Sequence, residues 1–250
     1  MTKTIALDFD GVICDSAPEM AETGWRCCRI LWPEEFQEPV PEEHISRFCK
    51  EIRPYTETGY QTILQTKLMH DGSDIRKVTV DFSSSLQQIL SDVGKTIPEL
   101  KKIFGGERDR WLKEDPESWL DRNDFYEGAS EALKALRKDA RVIILTTKER
   151  RFVKRLMERA GIDFPEEEIF GLEQIRNKET TLAELLQNGP LAFVEDRLET
   201  LERVAAIPAL NDVVLGFATW GYNTEAQRQS ARANSRIVCF ETPISLKEIL

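Results

Sequence analysis

Two aspartates near the start of the sequence are the first candidates for chemistry. Asp8 and Asp10 flank Phe9 directly after a short apolar run at residues 5–7. An apolar run that ends in acids and a glycine predicts a buried strand leading into a loop. Residues two apart in extended chain point the same way, so the two carboxylates would face one side. One carboxylate could attack phosphorus while the other acts as general acid and then as base.

This pair also indicates a divalent metal site. Two adjacent carboxylates repel each other unless a cation accompanies them. Magnesium prefers oxygen ligands and usually takes one or two carboxylates together with phosphate and water. Gly11 would let the backbone approach a phosphate closely, which makes it a candidate substrate-binding residue. Taken alone, the DxD spacing more often marks a strand end whose acids are only solvated.

Apolar runs that end in polar residues recur later in the chain. Helical patterns, with apolar residues every three or four positions, lie between them. This alternation predicts an α/β fold with a Rossmann-like, doubly wound parallel sheet, in which ligands bind beyond the carboxyl ends of the strands. The runs lie at residues 142–145 (followed by Thr146, Thr147 and Lys148), 191–194 (followed by Glu195 and Asp196), 213–217 and 236–240, and the helical patterns near 129–136, 152–160 and 198–205.

Residues 17–124 interrupt this alternation. The segments 59–69 and 82–93 look helical, and no series of strands is visible there. We therefore predict a core domain formed by residues 1–16 and 125–250, with a mainly helical domain at 17–124 inserted into it.

Composition excludes several classes of function. The chain has 34 basic and 44 acidic residues, a net charge of −10, which argues against nonspecific binding to nucleic acid or anionic lipid. Its five cysteines include no CxxC pair, so zinc and a disulfide framework are not expected. No run approaches the roughly 20 apolar residues of a membrane helix, and the first residues do not form a signal peptide. We expect a cytoplasmic protein with neither a membrane nor a nucleic-acid partner, and the oligomeric state stays open.

The longer string DFDGVICDS resembles the first motif of the haloacid dehalogenase (HAD) superfamily, a DxDG followed by apolar residues and often by DS. The resemblance implies that Asp8 becomes a phosphoaspartate and that Asp10 is the general acid and base. Dehalogenases of this superfamily lack an acid at the position of Asp10. Phosphatases and phosphomutases have one because a leaving alkoxide needs a proton, so phosphoryl transfer is favoured.

Two further strings resemble the second and third HAD motifs. VIILTTK implies that Thr146 hydrogen-bonds the transferring phosphoryl group with help from the Thr147 amide, although a hydroxyl at a helix start is also an ordinary cap. The third motif is a single lysine, and Lys178 in RNKETTLAELL matches it best. Its ammonium would offset charge on Asp8 and the phosphate, and Lys148 is the competing candidate.

FVEDR resembles the fourth motif, in which acids after a strand hold magnesium. Asp196 is the first candidate ligand and Glu195 the second, and the resemblance adds Asp8 and Asp10 to the magnesium site. Many members have glycine before this aspartate and another aspartate four residues later. This chain has Glu195 and Thr200 there, so which oxygen binds the metal stays open.

The long gap between the first two motifs resembles the helical-cap subclass, which includes phosphoglycolate phosphatase and β-phosphoglucomutase. The string NDFYEGASEALKAL resembles the return from the cap, and TWGYNTEAQ a loop after a later strand of phosphoglycolate-phosphatase-like members. The cap of such enzymes chooses the substrate. Arg53 is the first candidate there for binding an anion, because Pro54 restricts the chain beside it. The alternative is that Arg53 only packs within the cap.

These residues predict a Mg²⁺-dependent phosphatase that acts on a small phosphorylated metabolite. A phosphomutase of the same fold is the first alternative, since it would use the same motifs. A noncatalytic regulatory or binding protein is the second, kept open by the altered fourth motif. A dehalogenase is the third. Sequence does not name the substrate, because proteins of one fold act on many.

Overall fold

A computed structural model describes residues 2–249 of the chain. The chain divides into two compact units, which are treated separately below. One unit contains the described residues up to Asp15 together with those from Asp124 onward. The other unit is Ser16–Asn123. In the described part of the chain, no helix is long and apolar enough to cross a membrane.

The first unit is built on a parallel sheet of six strands, which lie in the order β5 (Ile169–Phe170), β4 (Arg141–Leu145), β1 (Thr4–Leu7), β6 (Leu191–Glu195), β7 (Val214–Ala218) and β8 (Ile237–Phe240). Ile5 and Ala6 point to opposite faces of β1 and are both fully buried, so the sheet is covered on both sides. This confirms the predicted α/β fold. Strands β2 (Cys14–Asp15) and β3 (Asp124–Phe125) form a separate antiparallel pair.

Helices follow the strands of the sheet as the apolar spacing predicts. In the helix at Ala129–Asp139 the four apolar residues at helical spacing are all buried. The helix at Arg150–Arg159 is followed by Gly161, whose positive φ of 65° is typical of a helix stop. The helices of the chain are α1 Ala17–Leu31, α2 Glu42–Arg47, α3 Gly59–His70, α4 Ile75–Val78, α5 Phe82–Val93, α6 Ile97–Glu114, α7 Pro116–Leu120, α8 Ala129–Asp139, α9 Arg150–Arg159, α10 Lys178–Leu186, α11 Leu198–Ala205 and α12 Glu225–Ala233.

Short helical turns complete the chain. A π-helical turn spans Phe48–Ile52, and 3₁₀ turns span Arg53–Tyr55, Glu166–Glu168, Pro208–Leu210 and Pro243–Ile249.

The second unit is helical. It contains α1 to α7, and none of its residues, all of which the structure describes, belongs to a strand. Its apolar core includes Trp25, Phe36, Phe48 and Leu64. Helix α6 begins at a capping box, in which Thr96 Oγ1 accepts the Glu99 amide and Glu99 Oε2 accepts the Thr96 amide; at the start of α3, Gln61 Oε1 accepts the Thr58 amide.

Candidate active site

The candidate site lies at the carboxyl ends of three adjacent strands. Asp8 follows β1, Thr146 follows β4, and Asp196 follows β6. Strand β1 pairs in parallel with both neighbours, so the three residues leave the sheet at the same edge. The ladder continues beyond the strand, where the Asp8 amide donates to the Val194 carbonyl at 2.9 Å. The sheet therefore brings together residues that are far apart in sequence.

A buried ammonium group bridges two carboxylates in this site. The Nζ atom of Lys178 lies 2.9 Å from Asp8 Oδ2 and 2.7 Å from Glu195 Oε2. Lys178 is the first residue of α10, and the preceding Asn177 caps that helix by accepting the Thr180 amide at 2.7 Å. This N-terminal cap at Asn177 determines where α10 begins and therefore the position of the Lys178 backbone.

Burial and charge shift the pKa values of these three groups. Burial, and then the charge of Glu195, raises the pKa of Asp8 to about 7, although Lys178 opposes the change. Burial acts to lower the pKa of Lys178, but the charges of Asp8 and Glu195 outweigh it and the pKa is raised. Burial also raises the pKa of Glu195. The single ammonium of Lys178 contacts the carboxylates of both Asp8 and Glu195, so it cannot neutralise both. A further cation would stabilise the remaining negative charge.

Asp10 contacts a second lysine. The Nζ atom of Lys148 lies 2.9 Å from Asp10 Oδ1. The Lys148 amide donates to Thr146 Oγ1 at 3.1 Å, and its carbonyl accepts the Leu172 amide at 3.1 Å. Lys148 was considered above only as a competitor of Lys178. The structure places both lysines in the site, each on a different aspartate of DFDG.

Thr146 and Thr147 differ in exposure. Thr146 is buried and Thr147 is exposed. Because Thr146 Oγ1 accepts the Lys148 amide, its hydroxyl hydrogen points elsewhere and can donate to a ligand. The predicted roles of both residues in binding phosphate stay predictions.

Three carboxylates are placed to share a cation. Asp8, Glu195 and Asp196 are buried, and each offers an oxygen within 4.8 Å of the others. Asp10 is not part of this group. Two glycines leave space for the Asp196 carboxylate: a Cβ on Gly11 would lie 2.0 Å from Asp196 Oδ2, and one on Gly221 would lie 2.3 Å from Asp196 Cβ.

The donor set fits magnesium. All three groups present carboxylate oxygen, the ligand type that magnesium prefers. With Asp10 and the two lysines included, the site carries four acids and two ammonium groups, a formal charge of −2. A divalent cation would balance that charge.

A second group of possible ligands lies in the helical unit and fits a metal less well. Glu35, His70 and Asp71 are all exposed. The ammonium of Lys67 already contacts both acids, at 2.9 Å from Glu35 Oε2 and 2.5 Å from Asp71 Oδ1. Because all three residues are exposed, water can solvate their charges without a metal.

Arg53, the predicted anion-binding residue, also belongs to the helical unit. Its side chain is buried, and Nη1 donates to the Thr56 carbonyl at 2.9 Å. Its role in substrate binding stays a prediction.

Sequence reasoning assigned no role to the residues of the loop after β7. The Tyr222 amide donates to Asp196 Oδ2 at 2.6 Å, and Asn223 Nδ2 donates to the Asp196 carbonyl at 3.1 Å. The string TWGYNTEAQ marked this loop, but one of the contacts comes from backbone, which no residue type reveals.

The sequence matches the model of a known protein family. A sequence model of the family described as haloacid dehalogenase-like hydrolase matches residues 2–202. No curated protein gives a significant match to the sequence.

Solved structures share the fold at low identity. A predicted phosphoglycolate phosphatase from Haemophilus somnus is 16% identical with a TM-score of 0.61, over 99% of this chain and 97% of that one. A predicted phosphatase from Clostridium acetobutylicum is 17% identical with a TM-score of 0.57, over 100% and 98%. A HAD-superfamily hydrolase of subfamily IA from Geobacter sulfurreducens is 14% identical with a TM-score of 0.54, over 100% and 96%. At these identities the likeness concerns the fold alone.

Proposed function

Since the chain belongs to the haloacid dehalogenase-like hydrolases, we propose that it is a magnesium-dependent phosphatase that works through an aspartyl-phosphate on Asp8. The chain is an enzyme of a phosphatase-like hydrolase family. The observation that carries the proposal is the contact of Lys178 with both Asp8 and Glu195 at the end of the sheet. It joins the first, third and fourth motifs in one buried site.

Asp8 and Asp10 divide the chemistry in this proposal. An Asp8 carboxylate oxygen attacks phosphorus, and the bond from phosphorus to the leaving oxygen breaks. Asp10 gives its proton to that leaving oxygen. In the second step water attacks phosphorus, Asp10 takes a proton from the water, and the bond to Asp8 breaks to release phosphate. The ammonium of Lys178 offsets negative charge on Asp8 and on the transferring group.

Asp8, Glu195 and Asp196 would hold the magnesium ion. When bound, magnesium would neutralise charge on the phosphoryl oxygens. Asp10 was also predicted as a ligand; it lies outside this group and contacts Lys148, and its part in holding the metal stays a prediction beside its proposed role in proton transfer.

The proposed substrate is a small phosphorylated metabolite. Gly11, Thr146 and Thr147 are the proposed phosphate-binding residues of the core domain. Residues 17–124 are proposed as the cap domain that selects the substrate, with Arg53 as its first candidate residue. Phosphoglycolate is the first compound to test, because a structural neighbour is described as a phosphatase for it.

The test is phosphate release from a panel of phosphorylated metabolites, with magnesium and with EDTA. We expect release from at least one compound in magnesium, loss of release in EDTA, and loss in Asp8→Asn. Asp212→Asn is the matched control, because Asp212 is an exposed aspartate outside the site.

Three outcomes would contradict the proposal. Release that persists in Asp8→Asn would exclude Asp8 as the nucleophile. Conversion of a phosphorylated sugar to its isomer without release of phosphate would identify a phosphomutase. Chloride release from haloacids without any phosphate release would identify a dehalogenase.

A further inference from the structure

The loop after β7, residues 219–223, approaches Asp196 at three points. A backbone amide of this loop binds the carboxylate, since Tyr222 N donates to Asp196 Oδ2 at 2.6 Å. Gly221 packs against the side chain so closely that a Cβ there would lie 2.3 Å from Asp196 Cβ. Asn223 binds the main chain, since its Nδ2 donates to the Asp196 carbonyl at 3.1 Å. One segment therefore holds both the side chain and the backbone of Asp196.

Asn223 uses its whole amide group in these contacts. Nδ2 has two hydrogens, and it donates to the carbonyls of Asp196 and of Ala218, the latter at 2.9 Å. Ala218 is the last residue of β7, so the amide joins the ends of β6 and β7. The side chain is 7% exposed, so water would replace these bonds poorly.

Arg228 on α12 holds Asn223 in this orientation. Its Nη1 donates to Asn223 Oδ1 at 3.0 Å and to the Asn223 carbonyl at 2.9 Å. Because the Asn223 amide oxygen accepts from the Arg228 guanidinium, the amide nitrogen must face the carbonyls of Asp196 and Ala218. The arginine therefore selects the amide orientation that binds Asp196.

The same loop also contacts the chain after β1. Tyr222 Oη donates to Asp15 Oδ1 at 2.8 Å, and Trp220 Nε1 donates to the Val12 carbonyl at 3.1 Å. The loop after β7 is thus fixed to the segment that begins with Asp8 as well as to Asp196.

We propose that Asn223 and Arg228 are positioning residues for the magnesium ligand Asp196. This inference rests on the proposed function, because it assumes that Asp196 binds the metal. Groups that orient metal ligands typically change metal affinity roughly 10–100-fold when they are removed. Asn223→Ala removes both bonds from Nδ2, and Arg228→Met removes both bonds from Nη1 while it keeps most of the apolar stem.

The test is calorimetric titration of Mg²⁺ into the full-length protein without substrate. We expect Asn223→Ala to weaken Mg²⁺ binding roughly 10–100-fold, and Arg228→Met to weaken it less. Thr219→Val is the matched control. Thr219 lies in the same loop with the same 7% exposure, but its hydroxyl lies within hydrogen-bond distance of the Phe240 carbonyl and of Glu241 Oε2, away from Asp196. We expect the Mg²⁺ affinity of Thr219→Val to match that of the wild-type protein.

A kinetic measurement separates positioning from general destabilisation. In Asn223→Ala, excess Mg²⁺ should restore kcat towards the wild-type value, because the reacting groups themselves are intact. Asp8→Asn should not recover at any Mg²⁺ concentration. Urea unfolding of each variant shows whether the titrated protein is folded. If Asn223→Ala does not fold, Arg228→Met provides the same comparison.

The outcomes distinguish the two proposals. If the wild-type protein does not bind Mg²⁺, the proposed metal dependence is wrong, and the proposed positioning role of Asn223 and Arg228 is wrong as well. If wild type binds Mg²⁺ but Asn223→Ala and Arg228→Met bind it as tightly, only the positioning role is wrong. If Thr219→Val weakens binding as much as Asn223→Ala, the effect comes from the loop in general and the specific role is also wrong.

Discussion

The ammonium of Lys148 lies 2.9 Å from Oδ1 of Asp10, and the lysine side chain is only 1% exposed. Its backbone is held as well, by Thr146 on one side and by the Leu172 amide on the other. The contact orients one oxygen of Asp10 towards the lysine. It therefore restricts the positions that the Asp10 carboxylate can take when it gives a proton to a leaving group.

We predict that Lys148→Met impairs hydrolysis most for substrates with poor leaving groups. An alkyl phosphate needs a proton from Asp10 as its alkoxide leaves, whereas 4-nitrophenolate leaves without one. If Lys148 orients Asp10, kcat/KM should fall about 100-fold for an alkyl phosphate, the scale of general acid catalysis, and much less for 4-nitrophenyl phosphate. The measurement is kcat/KM for both substrates.

Lys154→Met is the control for that experiment. Lys154 on α9 is 46% exposed and pairs with Glu166, so its loss should leave both substrates unaffected. Lys148→Arg keeps a cation, and partial recovery of alkyl phosphate hydrolysis is expected. An equal fall for both substrates in Lys148→Met would contradict an effect through leaving-group protonation.

A second prediction compares two glycines with positive φ. Gly11 has a φ of 88° and Gly161 a φ of 65°, so alanine at either position is strained by about 1–2 kcal/mol. A Cβ at Gly161 meets nothing within 4 Å, whereas one at Gly11 would lie 2.0 Å from Asp196 Oδ2. Gly161→Ala should therefore lower only stability, and Gly11→Ala should also abolish most phosphatase activity.

Urea unfolding and phosphate release distinguish the two glycine variants. Equal activity in both variants, at equal folded fraction, would show that the Asp196 side chain can move away without consequence. That result would weaken the case for Asp196 as a metal ligand.

The sheet could be predicted from sequence because burial on both faces makes its strands continuous apolar runs. The run predicted at 213–217 forms β7 at Val214–Ala218, and the run at 142–145 lies within β4. Strand β5 was not predicted, because its two residues, Ile169–Phe170, are too few for a periodic pattern. The α/β fold could still be predicted from the longer apolar runs and the helical patterns between them.

The candidate site was only partly predictable. The motif residues are single side chains at strand ends, which spacing can identify. The contact of Lys148 with Asp10 depends on how the chain turns after β4. The hydrogen bonds that hold Asp196 include one from the Tyr222 backbone amide. Neither backbone direction nor amide position is visible in residue types, so these contacts required the structure.

A third prediction concerns His44 in the helical unit. Its pKa is lowered from 6.5 to about 4, chiefly by burial; a backbone hydrogen bond with Ala21 opposes the change, and the charges of Arg47 and His70 add to it. Between these two values the unfolded chain binds a proton that the folded chain does not. The contribution of His44 to the free energy of unfolding should therefore be greatest above pH 6.5. It should fall as the pH decreases, by about 2 kcal/mol between pH 7 and pH 5.

Urea unfolding at pH 7 and pH 5 measures this loss. Tryptophan fluorescence suits it, because Trp25, Trp32, Trp111 and Trp119 all lie in the helical unit. His44→Gln should reduce the difference between the two pH values, and His70→Gln, which changes an exposed histidine, should retain most of it. An unchanged pH dependence in His44→Gln would assign the loss to other groups.

The last prediction concerns a buried ion pair between α1 and α6. Arg108 donates to Glu19 through two nitrogens, with Nε 2.8 Å from Oε1 and Nη2 2.6 Å from Oε2. Their side chains are 5% and 0% exposed. Removing one partner leaves an uncompensated buried charge, so Glu19→Leu or Arg108→Met alone should cost about 3–5 kcal/mol of unfolding free energy.

The double variant should cost much less than the sum of the single ones, because it leaves no buried charge behind. A double-mutant cycle measured by urea unfolding gives the coupling energy. The exposed pair Arg47 and Glu51 is the control, with a coupling expected below about 0.5 kcal/mol. If the costs of the buried pair simply add, Glu19 and Arg108 contribute through separate packing contacts. A large coupling instead means that the cost of each single substitution comes mainly from the partner charge that it leaves buried and unpaired.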